Sequence, residues 1–576
     1  MKIIKKNILT IGLMIPLLFA VSSCTEFLNR PNEDGFNVDN FYQTEDQCFQ
    51  AVNPIYNSPW YDFSRFWFST ETMAGNIVAS GQYGTFTVSS SDGNLINASA
   101  SLWSVNAYCN GVIENIDMKS SPKVSQTVKN TVKGEALVWK AMAYFYLVRC
   151  WGGVPIIHEN SAMIASGQYN TVYRATIPNI YDYIIMTLNK AIEWLPEKNQ
   201  PGRIDRYCAY GLLAKVYLYK SGYGRSGDRN QDDLDKAAEY AKLVIDNSGR
   251  TLMSNYEDIF RLHNNKCSES LIAWQWVSNP NWTSGNGIQS DLAVGGFTEF
   301  NDSWGDWTAP SVDLQDAFGV TALSKSRVDR DLRRHATMMM YGDHYDYFWR
   351  DRTIWGGKPG FDYKGYVIDS LKAKNVNGSG SNCVKQLVGN QADQLAEGGG
   401  PMYRMINGLA THLLRLSDVY LIYAEAKVGN AASTSDASAL AAFNAVRMRA
   451  IPGGTPFTSI TWDDVWRERR LELALEGDRW YDYVRLSYYN PQKAFDELKA
   501  QRRASYDGLA AFYTSGSTVP DPNTTHYSTS PVIPNPAQMY DKDQGSFIFP
   551  FPNQDVVSNP NLLLPPVDQD ISQYKY

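Results

Sequence analysis

The stretch Ile180–Pro196, IYDYIIMTLNKAIEWLP, sets Ile180, Ile184, Leu188, Ile192 and Leu195 three or four residues apart and closes on a proline. That spacing collects the apolar side chains on one face of an α-helix, and the missing N–H of Pro196 ends the hydrogen-bond ladder. The same pattern runs through Lys133–Cys150, Ala209–Lys220, Leu234–Asp246, His412–Val428, Ala437–Arg449 and Asp463–Val484. A mainly α framework is therefore expected.

Ala237, Ala241 and Val244 repeat the spacing of Ala439, Phe443 and Val446, each on the second helix of an apparent pair. Small residues at such positions let two helices approach closely, which gives a tetratricopeptide-like echo. Between the helical blocks the 3.6-residue period disappears. Residues 77–101, 278–310, 351–401 and 515–539 are rich in Asn, Gly, Ser or Pro, so large irregular loop excursions on a helical scaffold are expected. Gly152-Gly153-Val154-Pro155 reads as a helix stop.

Composition narrows the function. The 576 residues are 44% hydrophobic, enough for a sizeable core, and 53 basic against 60 acidic residues give a net charge of −7. This balance offers no general attraction to phosphate backbones, so nucleic acid is not an expected partner. Lys2, Lys5 and Lys6 precede an apolar run from Ile8 to Val21, the layout of a secretory signal. Val21-Ser22-Ser23-Cys24 resembles the lipobox of bacterial lipoproteins, which implies removal of residues 1–23 and lipidation of Cys24. Each buried acyl methylene contributes about 0.8 kcal/mol, so several chains would hold the protein at a membrane. The other six cysteines show no metal-ligand spacing, and no essential disulfide framework is expected.

Six sequence blocks, in order, resemble the SusD/RagB family of Bacteroidetes surface lipoproteins. They are Cys24-Thr25-Glu26-Phe27-Leu28; Gly134-Glu135-Ala136 through Tyr144-Phe145 and Leu147-Val148-Arg149 into Trp151-Gly152-Gly153-Val154-Pro155; Leu414 to Ala426; Phe443 to Ala450; Glu468-Arg469-Arg470 with Glu476 to Asp482; and Phe549-Pro550-Phe551-Pro552 with Asn559-Pro560-Asn561-Leu562. The resemblance covers nearly the whole mature chain. It implies an N-terminal half over 24–270 and a C-terminal half over 271–576, packed as one globular unit. It further implies tetratricopeptide-like helix pairs, an outer-membrane location, a glycan ligand, and a SusC-like TonB-dependent transporter as partner. Some relatives take peptides instead.

A sugar presents C–H faces and a rim of hydroxyls, so its site needs exposed aromatic planes with amide or carboxylate partners at the edge. Loops can expose such planes where helix interiors cannot. Trp282, Trp304 and Trp307 lie in the excursion over 278–310 with Asn281, Asn286, Asn301, Asp302 and Asp306, while Trp355 and Tyr83 lie in two others. The expected ligand contacts are Tyr83, Trp282, Trp304, Trp307, Trp355 and Asn301. Trp307 also suits a helix-entry staple ahead of Pro310, Leu314 and Phe318.

The charged residues between Glu468 and Asp482 read as a structural ion-pair lattice. Asp228, Asn230, Asp232 and Asp233 lack the glycine of an EF-hand and read as a loop capping the next helix. No GxSxG, HExxH or GxxxxGK[ST] motif occurs, so a binder rather than an enzyme is expected, with neither cofactor nor metal. A surface glycoside hydrolase is the alternative, because carboxylate pairs leave no fixed sequence spacing.

Overall fold

The computed structural model describes residues 41–78, 81–303, 305, 308–369, 378–528 and 547–576. Cys24 and the expected signal segment, residues 1–23, lie outside the described residues. The longer helices, in chain order, are α1 (Glu45–Val52), α2 (Tyr61–Ala74), α3 (Gly93–Lys119), α4 (Gln126–Trp151), α5 (Ile177–Trp194), α6 (Arg206–Lys220), α7 (Gln231–Asn247), α8 (Leu416–Val428), α9 (Ala437–Ala450), α10 (Trp462–Leu473), α11 (Arg479–Ser487) and α12 (Pro491–Ala500). The framework is mainly α, and none of the described helices is long and apolar enough to cross a membrane.

Helix α4 occupies the centre. Every residue from Thr131 to Trp151 is buried, as expected of a helix packed on all sides. Ser125 caps its start by accepting from the Val128 N–H. At its end Gly152 takes φ +72° and donates to Val148 O at 2.9 Å, the stop legible in the sequence. Helices α3 and α5 pack against α4, α6 against α5 and α7, and α9 and α10 against α8. The step from α7 to α8 crosses 168 intervening residues, 248 to 415, yet these two helices pack as neighbours. The strands β2 (Ser270–Trp274) and β4 (Thr411–Arg415) pair antiparallel and draw the ends of most of this excursion together, so the row of helices resumes after it.

The excursion has its own core. Phe297, Leu314, Met338, Met340, Tyr345, Phe348, Trp349, Phe361, Tyr366 and Cys383 are all buried in one cluster apart from the main one. Two very short strands, β1 (Ile77–Val78) and β3 (Ala309–Pro310), tie it to the N-terminal helices, with Ile77 opposite Pro310 and Val78 opposite Ala309.

Three boundaries depart from the periodic reading. Thr411–Arg415 is strand, so the helix expected from His412 begins at Leu416. The stretch Asp463–Val484 is two helices, broken where Leu475 and Gly477 take φ +61° and +83°. The irregular segment from Ile77 ends early, because Asp92 accepts from Leu95 N at 3.0 Å and starts α3 at Gly93. The six cysteines other than Cys24 are free.

The charged residues between 468 and 482 form a buried lattice. Arg415 reaches Glu269 at 2.5 Å, Glu472 at 3.0 Å and Glu476 at 2.8 Å, and Arg469 reaches Asp418 at 2.5 Å. Lys215 of α6 bridges Asp418 of α8 and Asp478, both at 2.8 Å. Such pairs fix which helix meets which, because a misplaced partner would strand a charge in the interior. Asn230 caps α7 by accepting from Asp233 N at 3.0 Å, and Lys220 holds Asp233 at 2.9 Å, so this acidic loop serves the helix start.

Candidate functional site

Trp282 is an exposed aromatic of the excursion over 278–310, 48% accessible in a short 3₁₀ turn, Trp282–Ser284. The turn is tied from several sides. Asn281 accepts from Thr283 N, Ser284 Oγ donates to Asn279 Oδ1 at 3.0 Å, and Val277 N donates to Ser284 O at 2.8 Å. Asn286 and Asn407 exchange backbone hydrogen bonds at 2.9 and 3.0 Å, joining this turn to the one at 403–406. A Cβ on Gly285 would stand 2.8 Å from Ile406 Cβ, so the two turns meet at a distance only glycine permits. Tyr403, 37% exposed, belongs to that second turn, whose Arg404 takes φ +47°.

The face continues onto α2. Tyr61 brings its hydroxyl within 3.5 Å of the Cβ position of Gly287, and Arg65 pairs with Asp291 at 2.9 Å. Burial raises the Asp291 carboxyl against the pull of Arg65. Thr308 Oγ1 donates to Asp291 O at 3.3 Å and Gly305 N to Ala293 O at 2.9 Å, which holds the end of the excursion to the same place. The result is a surface of flat side chains on anchored turns with amide, guanidinium and carboxylate groups beside them. It suits a ligand with apolar ring faces and hydroxyl edges.

The expected residues are not all on this face. Asn301 is exposed, at φ +55°. Trp304, Asp306 and Trp307 lie outside the described residues. Asn286 is buried, its amide donating to Leu409 O at 2.8 Å, and Asp302 is buried as the acceptor of Thr298 Oγ1.

Tyr83 and Trp355 correct the expectation of exposed planes, because each is only 8% accessible. Tyr83 packs edge-on to Phe66 and Phe549 with ring centroids 5.8 and 6.3 Å away, and its hydroxyl donates to Asp92 Oδ1 at 2.6 Å. Burial and the neighbouring Asp92 push its phenol far above the ordinary range. Trp355 is walled by Trp349, Phe361 and Tyr366 at 5.8, 4.9 and 5.7 Å, as part of the excursion's core. Sequence reasoning missed Tyr61, Arg65, Asp291 and Tyr403. The i, i+4 spacing of Tyr61 and Arg65 was a usable signal, but Tyr403 carries none before Gly285 and Ile406 are known to touch.

Comparison with known proteins places this arrangement. Residues 254–566 match the profile described as SusD family, and residues 27–218 match one described as "Starch-binding associating with outer membrane". A SusD-like protein of Bacteroides ovatus is 33% identical over 588 aligned positions, covering 98% of this chain and 99% of its own. SusD-like protein P2 of Formosa agariphila is 23% identical, covering 84% and 93%. Among solved structures, a crystal structure described as being with xylogluco-oligosaccharide superposes with a TM-score of 0.75 at 30% identity, covering 91% of this chain and 99% of that one. The chain belongs to the SusD family.

Proposed function

We propose that this protein is a lipid-anchored lipoprotein of the outer membrane that binds oligo- or polysaccharide on the face around Trp282 and passes it to a SusC-like TonB-dependent transporter. The observation that carries the reading is Trp282 itself, half exposed on a turn fastened through Asn279, Asn281 and the Asn286–Asn407 bridge. An indole on a fastened turn costs little backbone ordering when a pyranose lies on it, so more of the contact free energy survives as affinity. The family membership and the relative solved with xylogluco-oligosaccharide support a glycan as ligand. Tyr403 in the adjoining turn supplies a second ring, and Asn301, Trp304 and Trp307, which precede β3 in the sequence, belong to the proposed contacts. Cys24 is the proposed point of lipidation.

The test is isothermal titration of the chain and of Trp282→Ala with xylogluco-oligosaccharide and a panel of other neutral glycans. The expected result is binding to at least one glycan, weakened about tenfold by the substitution, which is about 1.4 kcal/mol. Binding that the substitution leaves untouched would refute the site, and no binding across the panel would refute the ligand class. Labelled palmitate incorporated by the wild type and not by Cys24→Ala tests the anchor, and co-purification with a SusC-like TonB-dependent transporter tests the partner.

A further inference from the structure

Outside the loop face, α3, residues 155–172 and residues 555–562 enclose a half-open cavity of about 270 Å³. Trp103, half buried on α3, gives it one aromatic wall, held edge-on against Tyr144 with centroids 6.2 Å apart. Met163 and Leu562 supply apolar surface, and Asn106, Asn160 and Asp555 supply the polar groups.

The polar groups are arranged by their other bonds. Asn106, 1% exposed, donates its amide nitrogen to Ile157 O at 3.1 Å, which fixes the side-chain orientation. Its Oδ1 has no hydrogen-bond partner among the described residues. A buried acceptor left unpaired costs about 1–3 kcal/mol, so a donor arriving with a ligand would recover that loss. Asn160 accepts from Asn110 through Oδ1 at 2.5 Å, which leaves its own Nδ2 as a donor. Asp555 accepts from Ser99 Oγ through Oδ2 at 2.5 Å, which leaves Oδ1 as a second acceptor. No lysine or arginine stands among the described residues that line the cavity.

From this geometry we propose that the cavity is a second saccharide site, built to take one neutral pyranose unit independently of the Trp282 face. A single ring-sized plane with two acceptors and one donor matches a sugar ring, whose hydroxyls donate and accept around an apolar C–H face. The absence of a cation among the lining residues, beside a carboxylate, disfavours uronic or sulfated sugars. The volume, about 270 Å³, falls just below the usual range of ligand pockets, roughly 300–1,000 Å³, which limits the occupant to about one sugar residue rather than a chain. Ile164, 65% exposed at the rim, is placed to cover the unit at its open side.

The experiment is saturation-transfer NMR of the full chain with D-glucose, D-xylose and N-acetyl-D-glucosamine as probes. At least one probe should show transfer that falls about tenfold in Trp103→Ala and in Asn106→Leu and is unchanged in Trp282→Ala. Ile164→Glu, a substitution of an exposed residue that cannot unfold the core, should reduce the same signal. The proposal is overturned by any of four results: no transfer from the three sugars, a signal kept in both Trp103→Ala and Ile164→Glu, a signal lost in Trp282→Ala, or displacement of the sugar by benzylamine, which would make Asp555 the centre of an amine site. If Trp282→Ala fails to affect oligosaccharide binding, the loop-face reading falls while this test stands unchanged.

Discussion

Arg485 of α11 and Glu425 of α8 form a two-pronged pair in the interior, with Nη1–Oε1 at 2.6 Å and Nη2–Oε2 at 2.9 Å. Arg229, just before α7, adds a third contact to Glu425 at 2.7 Å, and Asp482 holds Arg485 Nε at 2.8 Å. Burial alone would raise the Glu425 carboxyl, yet Arg485 and Arg229 hold it below the usual carboxylate range. Helices far apart in sequence are thus registered through one carboxylate. Glu425→Ala removes the carboxylate that two buried guanidinium groups share and should cost about 3–5 kcal/mol of stability, read by urea denaturation. The double substitution Glu425→Leu/Arg485→Met should lose less than the sum of the single changes, since it removes both charges together. Additive losses would show that the two residues act separately.

His412 gives the fold a pH signature. The ring lies buried in β4, with Ser270 Oγ 3.0 Å from Nδ1 and Ile259 O 3.3 Å from Nε2, an arrangement suited to the neutral ring donating from Nε2. Burial, helped by the Arg415 guanidinium, pushes its pKa down to about 4. The folded value lies below the unfolded one near 6.5, so the unfolded chain takes up the proton first as pH falls. The contribution is complete above about pH 6.5, declines toward pH 4 and flattens below it, a total of about 3 kcal/mol. Subtracting the urea-unfolding stability of His412→Gln from that of the wild type at each pH isolates this term. The difference should shrink by about that amount between pH 7 and pH 4. A pH-independent difference would mean that the ring titrates as it does in water.

The helices that could be read from sequence are those with one buried stripe, such as Ile177–Trp194, where polar residues mark the other side. Helix α2 was missed because Phe63, Ser64, Phe66, Trp67, Ser69 and Thr70 are all buried, which erases the period. The run from His412 to Arg415 is apolar enough for either helix or strand, and only its partner Ser270–Trp274 decides. Between α10 and α11 the residues Ala474, Leu475 and Glu476 favour helix. Gly477 alone signals the break, at a position where a Cβ would stand 2.9 Å from Trp67 Cβ.

The site was legible only in part, for a related reason. Trp282 and Trp355 both sit close to Gly and Pro, and local composition does not separate them. What separates them is partners elsewhere in the chain. Trp349, Phe361 and Tyr366 close over Trp355, whereas Trp282 sits on a turn fastened by backbone and amide hydrogen bonds, with its side chain half exposed. Nothing in the period or spacing reports that a long excursion has a core of its own.

That contrast gives a prediction that separates ligand contact from packing. Trp355→Ala should lower stability by about 3–5 kcal/mol, because it empties a ring-sized volume among aromatic neighbours. Tyr83→Phe removes the hydroxyl that donates to Asp92, the cap of α3, and should cost about 1 kcal/mol. Trp282→Ala should change the unfolding midpoint little while weakening glycan binding. Thermal unfolding and glycan titration of the three variants should therefore sort in opposite orders. A stable Trp355→Ala protein with weakened binding would return Trp355 to the binding face.

Gly153, two residues past the end of α4, tests how closely the chain is packed there. A Cβ built on it would lie 2.4 Å from the backbone oxygen of Ala175 and 3.3 Å from Pro566 Cβ. Ala175 in turn donates to Val154 O at 2.9 Å and bridges Val567, whose N–H reaches Arg174 O at 2.8 Å. Three segments from distant parts of the chain therefore meet over one missing methyl, and a backbone oxygen cannot rotate away as a side chain would. Gly153→Ala should destabilise by about 1–3 kcal/mol through overpacking. The loss should be local as well as global, with faster hydrogen exchange at the Ala175 and Val567 amides than at Val148 inside α4. Unchanged exchange at those two amides, together with an unchanged unfolding midpoint, would mean that the segments have room to part and that this contact does not hold the C-terminal segment in place.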